Sequence, residues 1–248
     1  MNSTVPNSIA SSSAKSDEYL ACEQPWVYWM LIFAAGWFGG YTFVVRGGVF
    51  CNAQTANVVL FGIALGSGNW AKAAYLLLPI SAYLAGAFVS EYLGKTVKKF
   101  HFLRWDTMLT GIEAIAVFLL GCLPANAPDQ ICQVALNFIC SMQFNTFRQV
   151  EGIPAATTFV TNHLRQIGSN FAKYIRHHDQ ASGNRVKLHG TLTLFFLAGT
   201  LISTICAHFF AYQSIWGSCI VLLIIFFRLA HTDRNEEKEL LSRVPHGH

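Results

Sequence analysis

The chain has 248 residues and a formal net charge of +4, and only 12% of its residues are charged while 53% are hydrophobic. A soluble domain usually has about 25% charged residues, so this composition excludes an ordinary soluble globular protein. The positive mean hydropathy of +0.38 also shows that apolar residues dominate the chain. The composition therefore predicts an integral membrane protein.

Long runs with few or no charged residues predict about six membrane-spanning helices. One helix needs about 20 apolar residues to cross a bilayer. The last run is nearly twice that length and is predicted to divide into two spans at residues 211–214. Backbone groups in lipid must be paired within their own element, and the runs do not alternate as barrel strands do, so the predicted fold is all-α. The runs are 26–45, 73–90, 107–123, 130–147 and 190–227.

The distribution of Lys and Arg predicts the orientation of these spans. Positive charge in short loops marks the cytoplasmic side of a membrane. Basic residues are concentrated in 95–104, 165–187 and 228–243, while the loop 124–129 has none. Both termini are therefore predicted to be cytoplasmic. The predicted organisation is a flexible N-terminal tail (1–25), a single transmembrane domain (26–230) and a cytoplasmic C-terminal tail (231–248).

Two further segments are uncharged but polar at one end, and they are predicted to be half-helices that do not cross the membrane. They are residues 49–71, with a solidly apolar part of only eight residues, and residues 155–164. Thr55 and Thr161 in these segments lie about 106 residues apart, and the spans before and after them show the same offset.

These offsets favour two repeat units, at about 26–123 and 130–230. Three spans in each unit would invert the second relative to the first, as in many secondary transporters. The second and fifth spans break the offset, through an insertion around 177–187. The alternative is that any chain with six spans can be cut in two.

The starts of the half-helices carry the best candidates for solute binding. A helix N-terminus leaves backbone N–H groups unpaired and carries partial positive charge, so it can hold an anion or a polar solute. The alternative is that these side chains only cap their own helices, or join helices together. The predicted substrate-binding residues are Thr55, Asn57, Gln143, Thr158, Thr161 and Asn162.

Glu113 is the one charged residue in the third predicted span. Ionisable groups in spans are costly and usually face the interior of the bundle, so Glu113 is the predicted proton-coupling residue. The alternatives are a structural carboxyl group held by one hydrogen bond, or one that pairs with another group at the membrane interface. The chain has no HExxH, GxSxG or Walker motif and no Cys/His metal spacing. No enzyme activity, catalytic residue, cofactor or metal is therefore expected.

The polar segments also carry a family resemblance. The residues concerned are Gly47–Phe50, Thr55–Gly66, Gln143 and Thr157–Thr161. They resemble signatures of the YoaK-like family of bacterial membrane proteins of unknown function, over most of the chain from about residue 30 to 230. The resemblance implies a membrane location but no defined chemistry. This sequence departs from the family pattern at Gly39, where an acidic residue is expected, and at Ala56 and Asn162, where glycines are expected.

Two classes of function remain open from the sequence. One is a small secondary transporter or channel for a polar or anionic solute, and the other is a membrane scaffold or regulatory subunit that transports nothing. An intramembrane enzyme is the least favoured reading. The expected partners are membrane lipids and a small polar solute, with self-association into a homo-oligomer left open. Nucleic acid is not expected, because the positions of the basic residues already fit the charge bias of cytoplasmic loops.

The predicted orientation can be tested with a label that does not cross membranes. Single reactive cysteines at Ser11 and Ser242 should be labelled only after the cells are opened, because both tails are predicted to be cytoplasmic. Labelling of either position in intact cells would contradict this orientation.

Overall fold

The computed structural model describes residues 19–97 and 102–247. The regular structure in this part of the chain is helical except for one short antiparallel hairpin, β1 (Gln149–Val150) and β2 (Ile153–Pro154). A 3-10 turn at Ala211–Ile215 joins the last two helices. The helices are α1 (Pro25–Val45), α2 (Gln54–Gly66), α3 (Trp70–Val97), α4 (Trp105–Gly121), α5 (Asp129–Thr146), α6 (Thr161–His177), α7 (Gln180–Phe210) and α8 (Trp216–Asn235).

Three helical segments of the described chain are long and apolar enough to cross a membrane: Pro25–Val45, Trp70–Gly94 and Gln180–Asn235. The last has 56 residues and contains both α7 and α8, which meet at the predicted joint. The helix α4 has 17 residues and is shorter than these segments. Long apolar helices are compatible with a membrane protein, while the count of six spans stays a prediction.

The long helices differ in how much apolar surface they expose. The helix α1 is central, and most of its side chains are buried. In contrast, α3 and α7 present large apolar side chains outward, such as Phe88 (72% exposed) and Phe209 (73% exposed). Contiguous apolar surface of this kind is costly in water and favourable in lipid.

The two short helices differ in extent from the sequence prediction. The helix α2 has 13 residues, about 20 Å at 1.5 Å per residue, and not only the eight apolar ones. Residues 155–160 are not helical, and α6 begins at Thr161 and continues through basic residues to His177. Absence of charge was the wrong criterion here, because α6 is strongly amphipathic and carries its charges on an exposed face.

The two ends of the described chain meet at one face of the molecule. The predicted flexible tail falls mostly on residues 1–18, which lie outside the described residues, but Leu20 and Glu23 are buried. The Glu23 carboxylate accepts hydrogen bonds from the backbone N–H (2.8 Å) and ring Nδ1 (2.9 Å) of His246. At the other predicted boundary, α8 continues to Asn235, beyond residue 230.

Arg104, just before α4, binds the C-terminal segment after α8 to the same face. Its side chain is buried, with Nε 3.2 Å from the Asp106 carboxylate and Nη1 donating to the carbonyl oxygens of Leu240 and Arg243 (both 3.3 Å). Burial is the largest single effect and would lower the pKa of Arg104, but the adjacent Asp106 carboxylate and other nearby acidic groups together outweigh it, and the pKa is raised. This cation therefore stays charged while it holds the segment. Of the other basic residues that oriented the spans, Lys98 and Lys99 lie outside the described residues.

Helix pairs cross closely at glycines. The main pairs are α1 with α7, α3 with α5, α6 with α7, and α4 with α8. Gly199 of α7 lies directly against the carbonyl oxygen of Phe33 in α1, and Gly86 of α3 lies in the same way against that of Phe138 in α5. Phe33 and Phe138 are 105 positions apart, and Gly86 and Gly199 are 113 positions apart. The same contact thus occurs twice, in two different helix pairs.

A serine next to each glycine crossing makes a hydrogen bond that also occurs twice, with the same sequence offsets. Ser203 Oγ donates to the carbonyl oxygen of Trp37 (2.9 Å), and Ser90 Oγ donates to that of Met142 (3.3 Å). The acceptors are again 105 positions apart and the donors 113. The correspondence therefore extends to individual hydrogen bonds.

Two contacts between α4 and α8 are related to each other by the same offset of 105 positions. Gly111 of α4 packs against the ring of Phe226, and Gly121 packs against the ring of Trp216. A shift of 105 positions carries Gly111 onto Trp216 and Gly121 onto Phe226. The contact is therefore reproduced with the two helices exchanged.

Substitution of a crossing glycine should destabilise the protein. In Gly199→Ala the new methyl group would overlap the Phe33 carbonyl, and overpacking typically costs about 1–3 kcal/mol. Gly62→Ala is the control, because nothing lies within 4 Å of its new methyl group, and alanine favours a helix by about 1 kcal/mol. Thermal unfolding in detergent should show a lower midpoint for the first variant only. Equal midpoints would contradict the close crossing.

Candidate functional site

A cavity of about 480 Å³ lies where the first turns of α2 and α6 meet. Three of the residues predicted to bind a solute, Thr55, Thr161 and Asn162, line it together, although Thr55 is more than 100 positions from the other two in sequence. Thr55 and Thr161 are both exposed. The full lining is Asn52, Ala53, Gln54, Thr55, Tyr83, Phe159, Thr161, Asn162 and Arg165.

Neither helix is capped by a side chain at this cavity. The N-cap residues are Ala53 for α2 and Val160 for α6, and neither helix has a side-chain cap hydrogen bond. In contrast, Asp179 caps α7 by accepting from the backbone N–H groups of Ala181 and Ser182 (both 3.1 Å). The alternative that the threonines and asparagines only cap their own helices is therefore wrong for both short helices. Their first N–H groups keep the partial positive charge of a helix start.

The charge on the cavity wall is positive. Among the described residues that line the cavity, Arg165 alone carries a formal charge. Its Nη2 donates to Oδ1 of Asn162 (2.9 Å), which holds the guanidinium beside the start of α6. Guanidinium groups and helix N-termini both stabilise anions. The wall therefore favours a negatively charged or strongly polar occupant.

Asn52 links the cavity wall to α1. Its side chain is only 4% exposed, and its Nδ2 donates to the carbonyl oxygen of Ala35 (3.0 Å). A side chain at Gly39 would begin 3.1 Å from that same nitrogen. The departure at Gly39 from the acidic residue of the YoaK-like pattern therefore concerns a position directly behind the cavity wall.

The other predicted binding residues lie in the interior and not on the cavity wall. Asn57, Gln143 and Thr158 are fully buried. Asn57 Nδ2 donates to the carbonyl oxygen of Phe50 (2.7 Å), and Gln143 Nε2 donates to that of Thr157 (3.1 Å). These amides fasten the loops that precede α2 and α6. Their predicted role in solute binding stays a prediction.

Sequence analysis missed His163, which fastens the loop before α6. Its Nε2 lies 2.9 Å from the carbonyl oxygen of Ala156, and its Nδ1 lies 2.8 Å from Nδ1 of His189. His163 and Ala156 stand 106 positions after Asn57 and Phe50, which make the equivalent contact. A lone histidine is a weak signal, but the offset of 106 applied to Asn57 would have found it.

Glu113 is fully buried on α4 and does not line the cavity. Neither of its carboxylate oxygens has a hydrogen-bond partner among the described residues. Its predicted coupling role is untested by this geometry.

A second cavity, of about 290 Å³, shares Phe159 and Asn162 with the first and reaches Asn145 and Arg148. Arg148 donates to the carbonyl oxygen of Gly247 (3.2 Å), so this cavity approaches the face where the chain ends meet. Within residues 19–97 and 102–247, no group of three or more His, Cys, Asp or Glu side chains is placed to hold a metal ion.

Comparison with known proteins yields one match. A family model described as "Protein of unknown function (DUF1275)" matches residues 27–228, which is most of the chain. This agrees with the predicted membership of a family of unknown function, while the name YoaK-like is not part of the match. No curated protein and no solved structure matches the chain.

Proposed function

We propose that the chain, which belongs to the DUF1275 family, is a multi-pass membrane protein that carries a small anionic solute, as a secondary transporter or channel. The solute would bind in the cavity between α2 and α6. The observation that carries the proposal is the meeting of two helix starts without side-chain caps and one guanidinium at a single cavity.

An inverted repeat with three spans in each half is part of the proposal. The recurring contacts support it. Residues of α1 correspond to residues of α5 at an offset of 105 positions, and residues of α3 correspond to residues of α7 at an offset of 113, so the α1–α7 crossing matches the α5–α3 crossing. The α4–α8 contact, which maps onto itself, is what a two-fold axis between the halves would produce. Transporters built in this way bind their solutes where the halves meet.

Six spans with both tails in the cytoplasm complete the proposed topology. The contact of Glu23 with His246 supports it, because chain ends on one face require an even number of crossings. The basic residues near that face, such as Arg104 and Arg148, support the cytoplasmic assignment.

An anion fits the cavity better than a cation or an apolar molecule. Each helix start carries about half a positive charge, and Arg165 adds a full one. The hydroxyl groups of Thr55 and Thr161 can donate further hydrogen bonds to the same occupant. Such bonds are stronger in a low-dielectric interior than in water.

The scaffold alternative predicts that the polar residues of both short helices are used in packing. Asn57 of α2 is used in this way, as is Gln143 of α5, which holds the loop before α6. Thr55 and Thr161 are not, because both are exposed at the cavity. This difference favours a binding site over a purely structural role.

Substitutions on the cavity wall should weaken anion transport. Flux of chloride, nitrate and formate into proteoliposomes should show an apparent affinity at least about tenfold lower for Arg165→Gln, since a hydrogen bond to a charged group contributes about 1.5–3 kcal/mol. Thr55→Val and Thr161→Val should each lower it about fivefold, through loss of one hydroxyl donor worth about 1 kcal/mol. The double threonine variant should be non-additive, because both residues would contact one ligand.

Lys173→Gln is the matched control, because it removes an exposed positive charge far along the same helix. It should transport like the wild type. Anion flux no greater than that of protein-free liposomes would contradict the proposed function, as would equal effects of the two charge substitutions.

Glu113 is retained in the proposal as the residue that couples transport to protons. Glu113→Gln cannot release a proton, so it should lose accumulation driven by a pH gradient and keep exchange of the solute down its own gradient. Glu236→Gln, at an exposed position after α8, is the control. Proton-driven accumulation that survives in Glu113→Gln would assign Glu113 a structural role.

A further inference from the structure

Two histidines form a buried pair between α6 and α7. His163 and His189 are both fully buried, and their Nδ1 atoms are 2.8 Å apart. The other ring nitrogen of His163 lies 2.9 Å from the carbonyl oxygen of Ala156. Nε2 of His189 is buried without a hydrogen-bond partner among the described residues.

The hydrogen bonds of the pair determine where its protons lie. A carbonyl oxygen only accepts, so Nε2 of His163 must carry a proton and donate to Ala156. In a neutral ring, Nδ1 of His163 is then an acceptor, and Nδ1 of His189 must donate to it. This leaves the lone pair of His189 Nε2 unused in the interior. The arrangement is complete only when both rings are neutral.

An added proton has no favourable place in this arrangement. On Nδ1 of His163 it would face the N–H of His189 at 2.8 Å, and the hydrogen bond would be lost. On Nε2 of His189 it would create a buried N–H without an acceptor, which is costly. The charged groups that act on His189 are Arg165 on α6 and Arg185 on α7, so the proton would add a third positive charge.

We propose that His163 and His189 form a proton-binding site that releases the start of α6 from α7 when the pair takes up a proton. The pair holds α6 in place while it is neutral. A proton is accommodated only if the rings separate, so that Nε2 of His189 and Nδ1 of His163 reach water. The ligand of this site is the proton itself, and the site stands whatever the cavity binds.

The pH window follows from the direction of the shift. Burial lowers the pKa of His163 below its ordinary value of 6.5. The closed arrangement therefore binds fewer protons than the separated one, and its stability rises with pH through this window. The contact is fully stable above about pH 6.5 and is weakened as the pH falls below it.

The first half of the chain contains an equivalent contact that cannot titrate. Asn57 fastens its loop carbonyl as His163 does, and Leu76 of α3 stands 113 positions before His189. Leu76 is buried and apolar. Acid should therefore loosen α6 and leave α2 in place, which would alter only the side of the cavity formed by Thr161, Asn162 and Arg165.

Hydrogen–deuterium exchange of the full chain in lipid nanodiscs tests this without any solute. After correction for intrinsic exchange rates, the hydrogen-bonded amides in the first turns of α6, from Leu164 onward, should lose about tenfold protection between pH 7.5 and 5.5, the effect of one proton over about one pH unit. Amides of α2 should not change. Uniform behaviour of the two helices in the wild type would overturn the proposal.

The matched variant is His163→Asn with His189→Leu, which copies the residues of the first half. It keeps a donor for the Ala156 carbonyl but has no titrating group, so the protection of its α6 amides should not change between the two pH values. Loss of protection that persists in this variant would overturn the proposal. Protection of α2 at pH 7.5 reports whether the variant is folded.

A second measurement needs no variant. In protein with ¹⁵N-labelled histidine, His189 should be protonated only on Nδ1 at pH 7.5. It should gain a proton on Nε2 over the same pH range in which α6 loses protection. A doubly protonated His189 at pH 7.5 would overturn the proposal. All of these readouts are independent of anion flux, so failure here and failure of the proposed function are distinguishable.

Discussion

A helix that begins inside an apolar protein leaves its first backbone N–H groups without intrahelical partners, and an unpaired polar group in such a place is costly. In this protein α2 and α6 begin at apolar N-cap residues, Ala53 and Val160, and neither start has a side-chain cap. Both starts instead face one cavity. The rest of the fold holds these two starts against the same space.

The loops before the two helices are held by buried amide and imidazole groups. Asn57 and His163 each hold a carbonyl oxygen of the preceding loop, at 2.7 and 2.9 Å. Outside them, glycine crossings bring α1 against α7 and α3 against α5, so that the long helices form close walls. The two contacts differ in their chemistry: the loop before α2 is held by an amide that does not titrate, and the loop before α6 is held by a histidine paired with a second histidine.

The sequence predicted the long helices well because their signal is local. The run that begins at Trp26 became α1, and the joint after Phe210 falls where the long apolar run was divided. The starts of the short helices were harder to locate, because absence of charge does not identify an amphipathic helix such as α6. Thr55 and Thr161 were both identified as candidates from their positions in the two polar segments, and the structure places them at one cavity.

What the sequence could not supply was the use made of each polar residue. Asn57 and Thr55 are two positions apart, yet one is buried against its own loop and the other faces the cavity. Arg165 lies in a basic stretch that was read only as a marker of the cytoplasmic side. The pairing of His163 with His189 depends on how α6 packs on α7, and no local pattern indicates it.

The central claim is that the two helix starts and Arg165 form one anion site. Its most direct test is an experimental structure of the full chain determined from crystals grown in bromide, with the anomalous signal of bromide used to locate bound anions. The account predicts an anomalous peak within hydrogen-bonding distance of the first turns of both α2 and α6 and of the Arg165 guanidinium. A structure that places Thr55 and Thr161 on separate surfaces would contradict it. So would a cavity without a bromide peak in crystals where bromide is well occupied at other sites on the protein.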